Sequence, residues 1–189
     1  MGDLPAPGQI GRRAMSLDSG SWGRIMPPQA LFSLRGNLAG AAARAVEDLP
    51  IATIPCRSHE RGEWAALWLG PDEQLLMAPE HSALALAAAA TEAMLGLDHA
   101  LVDISHRQGA IELTGPHAIA LINSACPLDL RDAAAPVAFC SRTVFGKAEV
   151  IVWRRAEDRW QLQAWRSFMP YVAGLLALAA AEFPGTAPD

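Results

Sequence analysis

Cysteine is scarce in this sequence, and its spacing excludes the sites that usually depend on it. The three residues Cys56, Cys126 and Cys140 form no C-x-x-C pair, so the sequence indicates neither a zinc site nor a disulfide framework. An odd number of widely spaced thiols is typical of a reducing compartment, where such residues serve as small core side chains. We therefore predict a cytoplasmic protein.

Long apolar runs and clusters of positive charge are also missing. The longest apolar segments, 82–90 and 171–181, are much shorter than the ~20 residues of a membrane-spanning helix. Fifteen Lys and Arg residues against twenty Asp and Glu residues give a net charge of −5, and no basic cluster of the kind that follows phosphates is present. The first thirty residues contain no apolar core of a signal peptide. We expect neither a membrane nor a nucleic acid as partner.

No motif for a nucleotide, a metal ion or a hydrolytic reaction is present. The glycines do not fit G-x-G-x-x-G or a P-loop, and no two histidines are spaced i, i+4. Asp103, Ser105 and His106 are the residue types of a hydrolytic triad, but alternate side chains of a strand end point to opposite faces and cannot form a relay. We interpret Asp103 and Ser105 as turn-forming residues and Glu73 as a solvated loop charge. No catalytic, cofactor-binding or metal-binding residue is predicted.

Apolar residues, in contrast, are abundant, although many of them are alanine. The chain has 189 residues, 51% of them hydrophobic, and six tryptophans. A chain of this length can bury a core without disulfides or metal ions. Apolar side chains in excess of one core indicate a surface that contacts a partner.

Hydrophobic periodicity and turn residues predict three successive units of two strands and a helix. The predicted strands are 63–69, 74–78, 100–104, 109–114, 148–153 and 159–165, and the helices are about 80–95, from Pro116, and from 170 to about 183 with Ser167 as its cap. A helix over 37–48 and a short strand over 51–56 precede them. This order indicates an α+β fold, with antiparallel sheets and helices packed on one face.

The last predicted strand shows the clearest alternation. Apolar residues Trp160, Leu162 and Ala164 alternate with polar residues Arg159, Gln161 and Gln163. This pattern predicts one buried face and one face in contact with water.

The two ends of the chain differ from its centre in composition. Residues 1–30 are rich in Pro, Gly and Ser, which predicts an extended or disordered amino-terminal arm. We expect a single domain over 31–183 and a flexible tail over 184–189.

Two separated blocks of sequence carry a family resemblance. The first, within 101–130, contains Asp103-x-Ser105-His106-Arg107, a strand with Ile111 and Leu113, and a helix start at Gly115-Pro116. The second runs from Cys140 to Glu149 and continues from Trp165 to Val172. In this order the blocks resemble the gamma subunit of heterotetrameric sarcosine oxidase, a family similar to the aminomethyltransferases, or glycine-cleavage T proteins.

The resemblance implies an aminomethyltransferase-like, folate-binding type of fold made of two intertwined α/β subdomains. It implies a non-catalytic assembly subunit of an oxidoreductase that demethylates sarcosine to glycine, with hydrogen peroxide and formaldehyde or methylenetetrahydrofolate as products. Alpha, beta and delta subunits are the implied partners. They are implied to hold the cofactors, which are FAD, FMN, NAD, zinc and tetrahydrofolate.

Several cationic residues interrupt apolar blocks beside aromatic ones, a composition typical of interface hot spots. On the alternative interpretation, the aromatic rings belong to the core and the cations extend to solvent. The resemblance favours an interface. The predicted partner-facing or fold-defining residues are Arg107, Arg142, Lys147, Trp165, Arg166 and Tyr171.

Two other functions stay open at this point. A free-standing folate-binding protein of one-carbon metabolism with the same fold needs a carboxylate for the pterin ring, and Asp103 is the only candidate within a motif. An independent Cys or Ser hydrolase is supported only by the presence of the residue types.

Overall fold

The computed structural model of the chain describes residues 22–44, 46 and 49–183. Most of the predicted arm, residues 1–21, and the whole predicted tail, 184–189, lie outside the described residues. Within the described ranges the chain forms ten β-strands, four α-helices and two short 3-10 helices. None of these helices is both long and apolar enough to cross a membrane.

In the described part of the chain, each α-helix follows a group of two or three strands. The strands are β1 (Gly23–Ile25), β2 (Gln29–Gly36), β3 (Ser58–Arg61), β4 (Trp64–Gly70), β5 (Glu73–Pro79), β6 (His99–Asp103), β7 (Gln108–Thr114), β8 (Cys140–Phe145), β9 (Ala148–Ala156) and β10 (Arg159–Trp165). The helices are α1 (Leu38–Arg44), α2 (Ala83–Met94), α3 (Ala118–Asn123) and α4 (Met169–Ala180), and the 3-10 helices Glu80–Ser82 and Arg166–Phe168 precede α2 and α4.

The strands form two antiparallel sheets of five strands each. Sheet I has the order β3-β4-β5-β2-β6, and sheet II has the order β1-β7-β10-β9-β8. The described part of the chain begins in sheet II with β1 and crosses to sheet I with β2, so the two halves are intertwined. The predicted α+β class with antiparallel sheets is confirmed.

Helices cover the outer face of each sheet, and the inner faces pack against each other. Helices α1 and α2 cover sheet I through Leu38, Leu86 and Met94, and α3 and α4 cover sheet II through Leu121 and Leu176. Between the sheets lie Leu31, Leu67, Leu75, Met77, Ile151 and Trp153. The result is a four-layer arrangement of helices, sheet, sheet and helices.

The prediction of a water-exposed face on β10 is wrong. Gln161 and Gln163 are 0% and 2% exposed, because sheet I covers this face of sheet II. The Gln163 amide nitrogen contacts the sulfur of Met77 on β5 at 3.6 Å, and that of Gln161 donates to Gln29 at 3.2 Å. Polar side chains therefore form part of the layer between the sheets.

The predicted arm is wrong for residues 22–30, which belong to the packed domain. Trp22 is 3% exposed, and β1 pairs antiparallel with β7 in the register Gly23 to Leu113. The Met26 amide continues this contact by donating to the Ala110 carbonyl at 2.9 Å. A single tryptophan forms no periodic pattern in the sequence, so the pairing of this segment could not be predicted.

Three further local predictions are wrong. The segment 51–56 is not a strand, because its Ala52 amide donates to the Gln74 side chain at 2.9 Å rather than to a ladder. Helix α3 begins at Ala118 instead of Pro116, after a turn in which the Ala118 amide donates to the Gly115 carbonyl at 3.2 Å. Ser167 does not cap α4, since it lies inside the 3-10 helix and the cap position is Phe168.

Candidate functional site

A cleft of about 410 Å³ opens at one end of the layer between the sheets. Strands β2, β5 and β6 of sheet I line one side of it, and β7, β8, β9 and β10 of sheet II line the other. It contains three of the predicted residues, Arg107, Arg142 and Trp165. A larger cavity of about 600 Å³ near Trp153 contains none of the six.

Strand periodicity explains why charged groups line this cleft. On β2, Leu31 is buried between the sheets, and Arg35 continues the same inward face four residues later. On β8, Cys140 is fully buried, and Arg142 follows on the same face. The inner layer is therefore apolar at its centre and charged at this cleft.

Glu73 is the central charged group of the cleft. Its carboxylate accepts a hydrogen bond from Arg142 of sheet II at 2.8 Å and one from Arg35 of sheet I at 2.7 Å. The side chain is only 12% exposed, so the interpretation of Glu73 as a solvated loop charge is wrong. The hydrogen bond from Arg142, together with the charges of both guanidinium groups, lowers the pKa of Glu73 despite its burial. Arg142 thus holds the two sheets together at the cleft.

Arg107 and Trp165 form the opposite wall of the cleft. The guanidinium carbon of Arg107 lies 4.0 Å from the centroid of the Trp165 ring, which is a cation–π contact. The backbone fixes this arrangement, because the Arg166 amide donates to the Arg107 carbonyl at 2.9 Å. Both side chains are exposed, and within the described ranges no carboxylate forms an ion pair with Arg107.

The other three predicted residues lie near the start of α4. The Tyr171 hydroxyl accepts a hydrogen bond from the Lys147 amide at 3.1 Å, so α4 contacts the tight turn between β8 and β9. Arg166 is exposed and lines a separate cleft of about 350 Å³ beside Pro27 and Met169. The structure therefore places the six residues at two neighbouring locations, not in one site.

Arg35 and Glu73 are the cleft residues that sequence reasoning missed. Neither lies in a motif, and Glu73 is 69 positions from Arg142 in the chain. Only the pairing of β2 with β5, in which Arg35 is opposite Glu73, brings them together. The alternation of β2 would have been a signal if that strand had been predicted.

Asp103 and Ser105 form a turn, as predicted from their residue types. The Asp103 carboxylate accepts hydrogen bonds from the Ser105 hydroxyl at 2.6 Å and from the Ser105 amide at 2.9 Å. These two bonds lower the pKa of Asp103. The Ser105 hydroxyl also accepts a hydrogen bond from the Leu31 amide at 3.0 Å, so this turn fixes the position of β2.

Comparison with known proteins identifies the family. A model described as the sarcosine oxidase, gamma subunit family matches residues 36–182. The chain belongs to this family. The Arg107–Trp165 contact and both resemblance blocks lie within the matched residues, as do all residues lining the cleft except Ser33 and Arg35.

Three relatives of this chain are sarcosine oxidase gamma subunits. The chain is 37% identical over 120 residues to that of Corynebacterium sp. strain P-1, which covers 63% of this chain and 58% of the relative. It is 32% identical to that of Corynebacterium sp. strain U-96, over 92% of this chain and 82% of the relative. The Arthrobacter relative is 35% identical over 63% of this chain and 58% of its own length. The chain thus spans somewhat more than half of two of these relatives.

Solved structures agree on the fold. A chain of the heterotetrameric sarcosine oxidase from Corynebacterium sp. U-96, in complex with pyrrole 2-carboxylate, superposes with a TM-score of 0.73 and 29% identity, covering 85% of this chain and 84% of that one. The aminomethyltransferase T of Bartonella henselae superposes with a TM-score of 0.58 at 16% identity, over 80% of this chain and 44% of that one. The second likeness shows a shared fold, as the sequence resemblance implies.

Proposed function

We propose that this chain is the gamma subunit of a heterotetrameric sarcosine oxidase and has an assembly role in it. The observation that supports this most directly is the superposition on a chain of such a complex over 85% of the residues, together with 29% identity. The proposed partners are the alpha, beta and delta subunits. The proposed reaction of the complex is demethylation of sarcosine to glycine, with hydrogen peroxide and formaldehyde or methylenetetrahydrofolate as the other products.

The cofactors of that reaction, FAD, FMN, NAD, zinc and tetrahydrofolate, are proposed to lie in the other subunits. The charged side chains at the cleft support this assignment, because Glu73, Arg35 and Arg142 bind one another across the sheets. Such a pattern stabilises the domain and does not leave Glu73 available as a base. We place the complex in the cytoplasm, since the three cysteines of this chain are free.

The start of α4 has the composition of a subunit interface. Trp165, Phe168 and Tyr171 are 40%, 41% and 37% exposed, although large aromatic rings are usually buried in a monomer. Arg107 and Arg166 lie beside them. Aromatic rings and arginines together are enriched at interface hot spots, so we propose this surface as partner-facing.

Co-expression with the other subunits tests the proposal. An affinity tag on this chain should retain the alpha, beta and delta subunits in stoichiometric amounts, and the retained complex should oxidise sarcosine. The same chain purified alone should be colourless and inactive. An active complex that forms equally well without this chain, or a chain that retains none of the subunits, would contradict the proposal.

A further inference from the structure

Three large apolar side chains are exposed on the inner faces of the sheets, in or beside the cleft. Val102 on β6 and Trp165 at the end of β10 line the cleft, and they are 53% and 40% exposed. Val144, which is 46% exposed, continues the inward face of β8 two residues after Arg142. Inward faces of a two-sheet core are normally covered. No residue in the described part of the chain covers these three side chains.

The charge of the cleft is opposite to the charge of the chain. Three guanidinium groups, those of Arg35, Arg107 and Arg142, line it against the two carboxylates of Glu73 and Glu149. The cleft therefore carries one positive charge in excess, whereas the whole chain has a net charge of −5. An excess of this sign favours an acidic group over a basic one.

The excess charge can be assigned to Arg107. Glu73 binds both Arg35 and Arg142, and Glu149 lies 3.8 Å from Arg142. Arg107 instead stacks on Trp165 at 4.0 Å, which orients its planar group and leaves the donor edge free for a bidentate carboxylate. The neighbouring Gln108 has a buried side-chain oxygen that accepts no hydrogen bond within the described residues. The carboxylate site of the cleft is therefore the guanidinium of Arg107.

We infer that the cleft between the sheets binds a segment of another subunit, and that an Asp or Glu flanked by apolar residues in this segment pairs with Arg107. This inference rests on the proposed function, because it assumes that the chain works within a larger complex. A free small carboxylate fits less well, since it would leave Val102 and Trp165 exposed. A second copy of this chain, with its net charge of −5, would be repelled at long range.

Charge reversal of Arg107 tests the inference. The Arg107→Glu variant should raise the dissociation constant for the other subunits by about tenfold or more, because it places two carboxylates together. Arg107→Lys should retain most of the affinity. The matched control is Arg61→Glu, which makes the same charge change on β3, at the opposite edge of sheet I from β6, and should change affinity by less than about twofold. Melting temperatures of the isolated variants establish that each is folded.

The outcomes separate this inference from the proposed function. If the unmodified chain associates with no other subunit, the proposed function fails. If it associates and Arg107→Glu binds as tightly as Arg61→Glu, only the cleft inference is overturned.

Cross-linking then identifies the occupant. In the assembled Arg107→Lys complex, a carbodiimide should couple the amine introduced at position 107 directly to an Asp or Glu of another subunit, and mass spectrometry would locate it. Coupling only to a second copy of this chain, or only to residues of the same chain, would overturn the assignment of the occupant. Free acetate or formate at millimolar concentration should not displace the segment. Displacement by either anion would instead indicate a small-molecule site.

Discussion

Arg142 and Glu73 join the two sheets through a charge-assisted hydrogen bond of 2.8 Å. Arg142 belongs to β8 of sheet II and Glu73 to β5 of sheet I, and no strand pairing connects these elements directly. Arg35 binds the same carboxylate from β2. One acidic side chain thus connects β2 and β5 of sheet I to β8 of sheet II at the cleft.

Removing the charge of Glu73 should destabilise the isolated chain. We expect Glu73→Gln to lower the free energy of unfolding by about 1–2 kcal/mol, because two charge-assisted hydrogen bonds lose their charged acceptor, although solvent around Arg35 and Arg142 screens part of the effect. Urea denaturation measures the change. The control is Glu60→Gln, which removes the more exposed acceptor of Arg155 at 3.1 Å and should cost no more than about 1 kcal/mol. Equal effects would show that Glu73 is energetically an ordinary surface residue.

The contact between Glu73 and Arg142 also predicts that the stability of the chain depends on pH. The pKa of Glu73 is lowered from its usual value of 4.5, chiefly by the hydrogen bond from Arg142. A carboxylate of this kind stabilises the fold above its unfolded pKa, and the contribution is lost as the pH falls through the folded pKa. The difference in stability between the unmodified chain and Glu73→Gln should therefore shrink below pH 4.5. A difference that stays constant into the acid range would contradict this cause.

Cys140 should be inert towards thiol reagents in the folded chain. Burial raises the pKa of its thiol to about 12, so almost no thiolate exists near neutral pH. Site-resolved mass spectrometry after alkylation at pH 8 should find Cys140 unmodified until urea unfolds the chain. The half-buried Cys56 should react first. Rapid labelling of Cys140 before unfolding would contradict the prediction and would revive the hydrolase hypothesis.

Gln163 offers an unusual opportunity to stabilise the fold by a polar-to-apolar change. The side chain is 2% exposed, and its oxygen accepts no hydrogen bond within the described residues, while its nitrogen reaches only the Met77 sulfur. We expect Gln163→Met to leave stability unchanged or to raise it by up to about 1–3 kcal/mol. Gln163→Glu, which buries a charge at the same place, should destabilise. A large loss of stability in Gln163→Met would show that the amide has a partner that stabilises it.

The strand-strand-helix units could be predicted because their signals are local. Turns such as 70–73 and the apolar periodicity of α2 and α4 depend on neighbouring residues only. Strands β1, β2, β3 and β8 were not predicted as strands, because they are short or irregular in pattern and depend on distant partners such as β7 and β5. The alternation of β10 correctly distinguished two faces, but it could not show that a second sheet covers the polar one.

The candidate site was predicted only in part for a related reason. Residue types identified Arg107, Arg142 and Trp165, since arginine next to aromatic residues is a local signal. The partners of Arg142 and the stacking of Arg107 on Trp165 depend on strand register across the chain. Sequence reasoning therefore found cationic residues, but not the arrangement that neutralises Arg35 and Arg142 and, within the described part of the chain, leaves Arg107 without an ion pair.

Arg166 is predicted to act in assembly and not in the stability of the isolated chain. Its side chain is exposed beside Met169 and Pro27. We expect Arg166→Ala to weaken association with the other subunits by about 2–5 kcal/mol, the cost typical of truncating a buried charged partner at an interface. The melting temperature of the isolated variant should be unchanged, and any complex that forms should have normal turnover. An intact complex with turnover reduced a hundredfold would instead indicate a catalytic role.

Substitutions at Gly146, in the turn between β8 and β9, test whether Tyr171 fixes α4 to sheet II. Gly146 and Gly62 have the same φ of +58°, so Gly→Ala at either position incurs a left-handed backbone cost of about 1–2 kcal/mol. A Cβ at Gly62 meets no atom within 4 Å, whereas one at Gly146 overlaps the Tyr171 hydroxyl and lies 2.9 Å from Leu175. Gly146→Ala should therefore cost more than Gly62→Ala in urea denaturation, and the excess reports the displacement of Tyr171.

A double-mutant cycle isolates that contact. In a Tyr171→Ala background the overlap with the hydroxyl is gone, so the cost of Gly146→Ala should fall towards that of Gly62→Ala, with the remainder due to Leu175. The Lys147 amide also loses its acceptor in this background, which makes Tyr171→Ala itself destabilising. If Gly146→Ala costs the same with and without the tyrosine ring, the close approach of α4 to this turn does not contribute to stability. In that case the exposed Tyr171 ring would serve only in contacts with a partner subunit.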